Sequence, residues 1–340
     1  MDYSALAKQI KKQLPDIDIH LNHPLAPYTT LKIGGPADLF INSTSHQQFI
    51  SILKLLHQAE VPLPFIVGNG SNLLISDSGI RGTIIKNSGN YITINSPPSS
   101  PSSPPSSPPS SPPRCPTLDT SVNLTSGTSL SYAIKYLNQK NLVGLEEFAY
   151  IPATIGGAIH SNIHGVNQTN FSHFLQSMVV FNYQTGKTNI LSVTNSPSSW
   201  GYDQSPFQKN PHLIILSATI KLKQSDGKKA QKTARNIINK KTKNQPLPSA
   251  GCTFKNPTTK NTTKQPSAGQ LIDQLNLKGT TIGNTQISPK HANFIINTTP
   301  TVTNPSSATN YLKLVRLIQQ KVKNKYGTNL ELEIKLVGKF

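Results

Sequence analysis

Pro64-Phe-Ile-Val-Gly-Asn-Gly-Ser-Asn-Leu-Leu-Ile-Ser76 sets the architecture of the N-terminal part of the chain. Its apolar run 64–67 reads as a buried strand, and 73–76 as a second strand. Between them lie Gly68, Asn69, Gly70, Ser71 and Asn72, a glycine-bearing turn. Just upstream, 45–59 places Phe49, Ile52, Leu53 and Leu56 at helical spacing, with Ser45 as the cap. Further out, 31–41 reads as strand, glycine turn and strand, and 4–14 as a helix stopped by Pro15. Strand and helix alternate, as they do in an α/β or α+β unit.

Downstream, 96–113 is almost wholly proline and serine. Such a stretch forms neither a core nor a sheet ladder, so an extended loop inserted between two strands is expected, with a domain linker as the alternative. Strand-like sequence resumes at 119–124, and a helix follows through 137. Strands are expected at 177–182, 188–193 and 213–222, a basic helix at 228–243, and a loop at 246–257. The remainder reads as a helix at 268–275, a strand within 287–297, a long amphipathic helix at 306–326 and a closing strand at 330–336.

The formal net charge is +19, from 33 Lys and Arg against 14 Asp and Glu. A nucleic-acid partner is the first class such a charge raises. Only four arginines occur, Arg81, Arg114, Arg235 and Arg316, and the lysines are scattered, so no nucleic-acid partner is expected. The denser run 221–243 is either a solvated helix face or a phosphate-facing surface. Two cysteines, Cys115 and Cys252, make no disulfide framework, and a reducing cytoplasm is the simpler location. Neither a signal peptide nor a membrane-spanning stretch is read from the sequence, so no membrane insertion is expected.

Four motifs carry chemistry. In 68–72, glycines allow close backbone approach, successive amides can surround a phosphate, and Ser71 and Asn72 add donors; a tight surface turn is the alternative. The spacing is not that of a Rossmann fingerprint. Ile151-Pro-Ala-Thr-Ile-Gly-Gly-Ala158 pairs Gly156 with Gly157, and two such loops on separate units point to one extended dinucleotide between them. Pro248-Ser-Ala-Gly-Cys-Thr-Phe-Lys-Asn-Pro257 places the Cys252 thiol beside Lys255 and Asn256, where thiol acidity increases; an inert buried thiol is the alternative. Strand alternation in Leu330-Glu-Leu-Glu-Ile-Lys-Leu336 puts Glu331 and Glu333 on one face, a pair open either to solvent or to acid chemistry.

Taken in order, TTLKIGGPADLF (29–40), VGNGSNLLISDSGIRGTII (67–85), GLEEFAYIPATIGGA (144–158), GYDQSPF (201–207), QPLPSAGCTFKNP (245–257), SAGQLIDQLNLKGTTIGNTQISPKHANFIIN (267–297) and LELEIKLVG (330–338) resemble the UDP-N-acetylenolpyruvoylglucosamine reductase family. The shorter type, lacking a tyrosine-bearing loop, is the one resembled. The resemblance implies an α+β fold: a two-part FAD-binding domain of the vanillyl-alcohol-oxidase type and a C-terminal α+β substrate-binding domain. Its expected bounds are 1–88, completed by 326–340; 89–224, holding the insert; and 225–325. It implies a monomer without a metal, using FAD and NADPH on a UDP-sugar substrate and supplying UDP-N-acetylmuramate to peptidoglycan synthesis.

By the same resemblance, FAD is held by 68–72 and by Pro152, Thr154, Gly156 and Gly157. Cys252 falls on the position of the family's proton-donating serine, and Glu333 on its supporting glutamate. Asp203 stands where the family has an arginine that stabilises an enolate, a charge an aspartate opposes; Lys209 is a nearby substitute cation. Tyr202, Lys243, Asn256 and His291 fall on substrate-binding positions. Two further departures are Ala153 for a usual glycine and Ile163-His164 within a small-residue stretch. Rival readings are an FAD-linked oxidase with another small substrate, and a degenerate, non-catalytic flavin or sugar-nucleotide binder.

Overall fold

The computed structural model describes residues 1–95, 119–193, 199–257, 266–299 and 307–340. The expected proline- and serine-rich insert, 96–113, and Cys115 lie outside the described residues.

Along the chain come α1 (Tyr3–Gln13), β1 (Asp18–Pro24), β2 (Pro36–Ser43), α2 (His46–Gln58), β3 (Phe65–Val67), β4 (Leu73–Ile75), β5 (Ile80–Asn87) and β6 (Ile92–Asn95). Then follow β7 (Asp119–Thr125), α3 (Leu130–Gln139), β8 (Leu142–Val143), α4 (Ile155–Ser161), β9 (Leu175–Asn182) and β10 (Lys187–Ser192). Next are α5 (Pro206–Lys209), β11 (Leu213–Gln224), α6 (Gly227–Asn244) and α7 (Ala268–Asp273). Last are β12 (Thr281–Ile282), β13 (Thr285–Ile287), β14 (Ile295–Asn297), α8 (Ala308–Tyr326) and β15 (Lys335–Val337). The mixture of helices with parallel and antiparallel sheets is the expected α+β class.

Two compact units result, 1–43 with 59–87 and 239–340, and 44–58 with 88–238. In the first, β1-β2-β5-β3 form one sheet, with β5 parallel to both β2 and β3. β15 returns as the parallel partner of β4, the closing strand expected from sequence. Leu31, Ile33 and Leu74 share one core with Phe254, Leu271, Tyr311 and Ile318. Segments expected to belong to separate domains are therefore joined by common burial, with each fully buried large apolar side chain contributing about 1.5–3 kcal/mol. In the second unit, β10-β9-β11-β7-β6 form an antiparallel sheet, with β8 also on β11. Leu130, Ala133, Ile134 and Leu137, the apolar stripe of α3, enter its core.

Most helices match their sequence signals. Asp2 accepts from the amides of Ser4 and Ala5 to cap α1, and the Gln48 amide donates to Ser45 Oγ at the start of α2. Two strand expectations are corrected, and one strand, β1, was not anticipated. Residues 31–33 form a turn, because Thr29 Oγ1 donates to the Ile33 carbonyl and accepts from its amide, replacing a ladder partner. β1 gave little signal because only Ile19 of its seven residues is buried. The expected strand 330–336 forms a ladder only over Lys335–Val337.

Candidate active site

In the first unit, the 68–72 loop leaves β3 and enters β4. Gly70 has φ +58, and a Cβ there would lie 2.3 Å from the Tyr28 carbonyl oxygen, so only glycine permits this path. Among the described residues, the amides of Asn69, Gly70 and Ser71 donate no hydrogen bond. Open successive amides in a glycine-lined turn fit an anionic oxygen, as a flavin dinucleotide's diphosphate requires. Asn72 differs: its Nδ2 donates to the Glu333 carbonyl at 3.3 Å, and its own carbonyl accepts from Lys335 N at 2.9 Å. Part of that residue's bonding capacity thus positions the C-terminal segment.

Cys252 is half-buried and immediately precedes a clamped segment. The Glu333 amide donates to the Thr253 carbonyl and the Lys255 amide to the Glu331 carbonyl, both at 2.9 Å, around an isolated bridge from Phe254 to Leu332. From the other side, Thr253 N donates to the Asn293 carbonyl at 2.7 Å, while the Asn293 side chain bonds both backbone groups of Phe254. The segments bearing Cys252 and Glu333 are thereby held in fixed register. The two glutamates are not equivalent: Glu331 is exposed, 4.0 Å from Lys255 Nζ, whereas Glu333 is half-buried.

Sequence reading missed Tyr311. It is fully buried on α8, and its hydroxyl lies 3.1 Å from Thr253 Oγ1. Burial pushes its phenol well above the ordinary value; the Thr253 bond opposes this and the charge of Cys252 adds to it. A hydroxyl within the apolar stripe of α8 was the available signal.

Asn256 Oδ1 accepts from Ala268 N at 3.1 Å, helping to cap α7, which leaves its Nδ2 for another partner. His291 accepts from the Asn293 amide through Nδ1 and packs edge-on against Phe294, 4.7 Å away. Burial lowers its pKa, and Lys278 and Lys241 push the same way against a backbone hydrogen bond and Asp273. Lys243 lies exposed in the last turn of α6.

In the second unit, the expected 151–158 loop is a helix start from Ile155 onward. Pro152 is exposed before it, Ala153 is buried, and Thr154 Oγ1 caps the helix by accepting from Gly157 N. The amides of Ile155 and Gly156 donate to the carbonyls of Thr128 and Ser126, both at 2.8 Å. A Cβ on Gly156 would come 2.9 Å from Ser126 Cβ. Close packing of helix against strand-end backbone therefore explains Gly156, and the first-turn amides are already engaged. Gly157 is exposed, and among the described residues a Cβ there would meet Thr154 Oγ1 at 3.4 Å.

Asp203 and His164, two departures from the expected family pattern, meet in this unit. His164 Nδ1 lies 3.1 Å from Asp203 Oδ1, its Nε2 3.1 Å from the Tyr202 hydroxyl, and the His164 and Tyr202 rings stack at 4.4 Å. Asp203 Oδ2 is buried without a hydrogen-bond partner among the described residues. Asn162 Nδ2 donates to the Gly201 carbonyl at 2.7 Å and Ser205 Oγ to the His160 carbonyl at 2.6 Å, fixing this segment to the end of α4. Lys209, the expected substitute cation, is exposed and forms no ion pair with Asp203. Among the described residues, no group of three or more His, Cys, Asp or Glu could hold a metal, and no helix is long and apolar enough to cross a membrane.

Residues 240–337 match the family model described as UDP-N-acetylenolpyruvoylglucosamine reductase, C-terminal domain. Over 339 residues the chain is 33% identical to the UDP-N-acetylenolpyruvoylglucosamine reductase of Caldanaerobacter subterraneus subsp. tengcongensis, covering 98% of each chain. It is 35% identical to the enzyme of that name from Chlamydia muridarum, over 92% of this chain and 93% of that one. A crystal structure of UDP-N-acetylenolpyruvylglucosamine reductase from Thermus caldophilus is similar at a TM-score of 0.66 and 26% identity, covering 95% of this chain and 99% of that one.

Proposed function

This chain belongs to the UDP-N-acetylenolpyruvoylglucosamine reductase family, and from that premise we infer how its own residues divide the work of the reaction. It is an oxidoreductase and flavoprotein of peptidoglycan precursor synthesis, a UDP-N-acetylmuramate dehydrogenase. The proposed FAD-holding residues are Gly68, Asn69, Gly70, Ser71 and Asn72, with Pro152, Thr154, Gly156 and Gly157, where Gly156 acts by seating the helix start on Ser126 rather than by touching the cofactor. A flavin held by these residues would supply hydride, received from NADPH, to C3 of the enolpyruvyl group of UDP-N-acetylglucosamine-enolpyruvate. In this reading 1–88 with 326–340 and 89–224 serve the flavin, and 225–325 serves the substrate.

Reduction leaves C2 needing a proton. Cys252 delivers it from Sγ, and solvent restores the thiol afterwards; an ordinary thiol pKa of about 8.5 makes this group a stronger acid than a serine hydroxyl. The single observation carrying this assignment is the pairing of 253–255 with 331–333, which fixes the Cys252 segment against that of Glu333. Glu333 supports the proton delivery. Asp203 carries no positive charge to meet an enolate; its role is to orient His164 through Nδ1. Tyr202, Lys243, Asn256 through Nδ2, and His291 bind the UDP-sugar. In the same reading the protein works in the cytoplasm as a monomer, without a nucleic-acid partner.

An anaerobic experiment tests this. Wild-type protein bleached with NADPH should recover its flavin colour on addition of UDP-N-acetylglucosamine-enolpyruvate. Cys252→Ala should bleach normally but recover about 10²- to 10⁴-fold more slowly, the range for losing a general acid. Cys252→Ser should retain substantial activity. Normal turnover by the alanine variant removes Cys252 from the donor role.

A further inference from the structure

Lys86 is a cation without a counter-charge among the described residues. It lies near the end of β5, with Asn42 of β2 and Val67 of β3 as its register partners on either side. Both pairings are parallel, so Lys86 stands at the carboxyl ends of these strands, where sheets of this kind place ligands. The residue after Val67 is Gly68, the start of the open-amide loop.

The side of the sheet is also defined. Strand alternation puts Lys86 on the face of Ile84, whose partner across the ladder is Phe40. Tyr28 packs on Phe40 with ring centroids 4.4 Å apart, and Gly70 lies directly against the Tyr28 carbonyl. Gly70 of the loop thus abuts the backbone of Tyr28, whose ring packs on the face from which Lys86 projects.

Lys86 is substantially buried, and burial alone lowers its pKa; no neighbouring charge contributes to the shift. No ion pair or hydrogen bond engages it among the described residues. Its neighbour Asn42 donates through Nδ2 to Asp18 Oδ2 at 3.1 Å, leaving Asn42 Oδ1 buried and unpartnered. A desolvated ammonium with no compensating carboxylate is unfavourable unless an anion arrives to meet it.

We propose that Lys86 is an anion-binding residue, supplying the positive charge for a diphosphate whose oxygens take the amides of Asn69, Gly70 and Ser71. Lysine acts in such sites as a point charge, complementing the directional amides. The inference rests on the flavin reading, and commits to the diphosphate of FAD rather than that of the UDP-sugar.

The test uses full-length protein stripped of flavin and titrated separately with FAD, riboflavin and UDP, with Lys86→Met and Lys86→Arg beside wild type. Lys86→Met should weaken FAD binding about 10- to 100-fold, the range for one charge-assisted hydrogen bond. Riboflavin, which has no diphosphate, and UDP should bind as to wild type, and Lys86→Arg should retain FAD within a few-fold. Without flavin, the methionine variant should unfold no earlier than wild type, since it removes an uncompensated buried charge. Unchanged FAD affinity overturns the proposal; so does an equal loss of riboflavin, which marks a structural role. Selective loss of UDP overturns it in favour of a substrate site. Wild-type protein that takes up no FAD sinks the flavin reading itself, and this inference with it.

Discussion

Among the described residues, the amides of Asn69, Gly70 and Ser71 in the 68–72 segment are open, whereas in 151–158 the amides of Ile155, Gly156 and Gly157 are all engaged within the unit. Both segments present glycine after a short strand or turn, and by sequence both look like places for close ligand approach. The first uses glycine to allow a left-handed backbone against Tyr28. The second uses Gly156 to seat a helix on Ser126. A glycine reports that something comes close; whether it is ligand or protein depends on where the neighbouring backbone lies.

Substitutions can break or sharpen that contrast. Gly70→Ala should have the largest effect, because its Cβ would strike backbone at a positive φ. Loss of FAD by at least 100-fold is expected, with about 2–4 kcal/mol of destabilisation from strain and steric conflict combined. Retention of flavin colour by that variant would remove the loop from the cofactor site. Gly156→Ala should cost about 1–3 kcal/mol by overpacking, read as a lowered denaturation midpoint, with flavin affinity changing only as stability does.

Asp77 gives the next effect. It follows β4, and its carboxylate accepts from Ala308 N, Thr309 N, Ser307 Oγ and Thr309 Oγ1, between 2.6 and 3.0 Å, at the start of α8. Burial raises its pKa, but these hydrogen bonds outweigh it and hold the folded value below the ordinary one. Its contribution is therefore present above the unfolded pKa of about 3.9 and lost as pH falls through the lower folded value. Asp77→Ala should cost about 1 kcal/mol at neutral pH, and the gap from wild type should close in acid titrations of stability. A constant gap down to the lowest pH would show that packing, not the carboxylate, anchors the helix.

Gly157→Ala should have the smallest effect on folding, within about 1 kcal/mol and toward greater stability, because the site is exposed and alanine favours helix. That makes it the sharpest probe of the second segment. Reduced FAD affinity without loss of stability would show that ligand approaches Gly157; unchanged affinity would confine the segment to packing.

Helix positions were largely legible, because apolar spacing and caps such as Ser45 are local signals. Strands were legible where one face is buried, as in β9 and β11, and missed in β1, where the pattern is mostly polar. The Leu31–Ile33 error had the same origin in reverse. Apolar alternation there reflects burial in an irregular turn held by Thr29, not a ladder. For the candidate site, Cys252 and Glu333 were singled out through motif order, while Tyr311 was hidden inside an amphipathic helix.

By itself the sequence determined the order of the motifs, the helices and the positions where chemistry departs from the family pattern. Each of these depends on residue type and short spacing. Tertiary structure alone decided that Asp203 pairs with His164, that Thr253 is clamped by Glu333 and Asn293, and that, among the described residues, loop amides are open while helix amides are closed and Lys86 is desolvated without a partner. These outcomes join residues distant in the chain, and burial and hydrogen-bond pairing are determined only when packing brings such segments together.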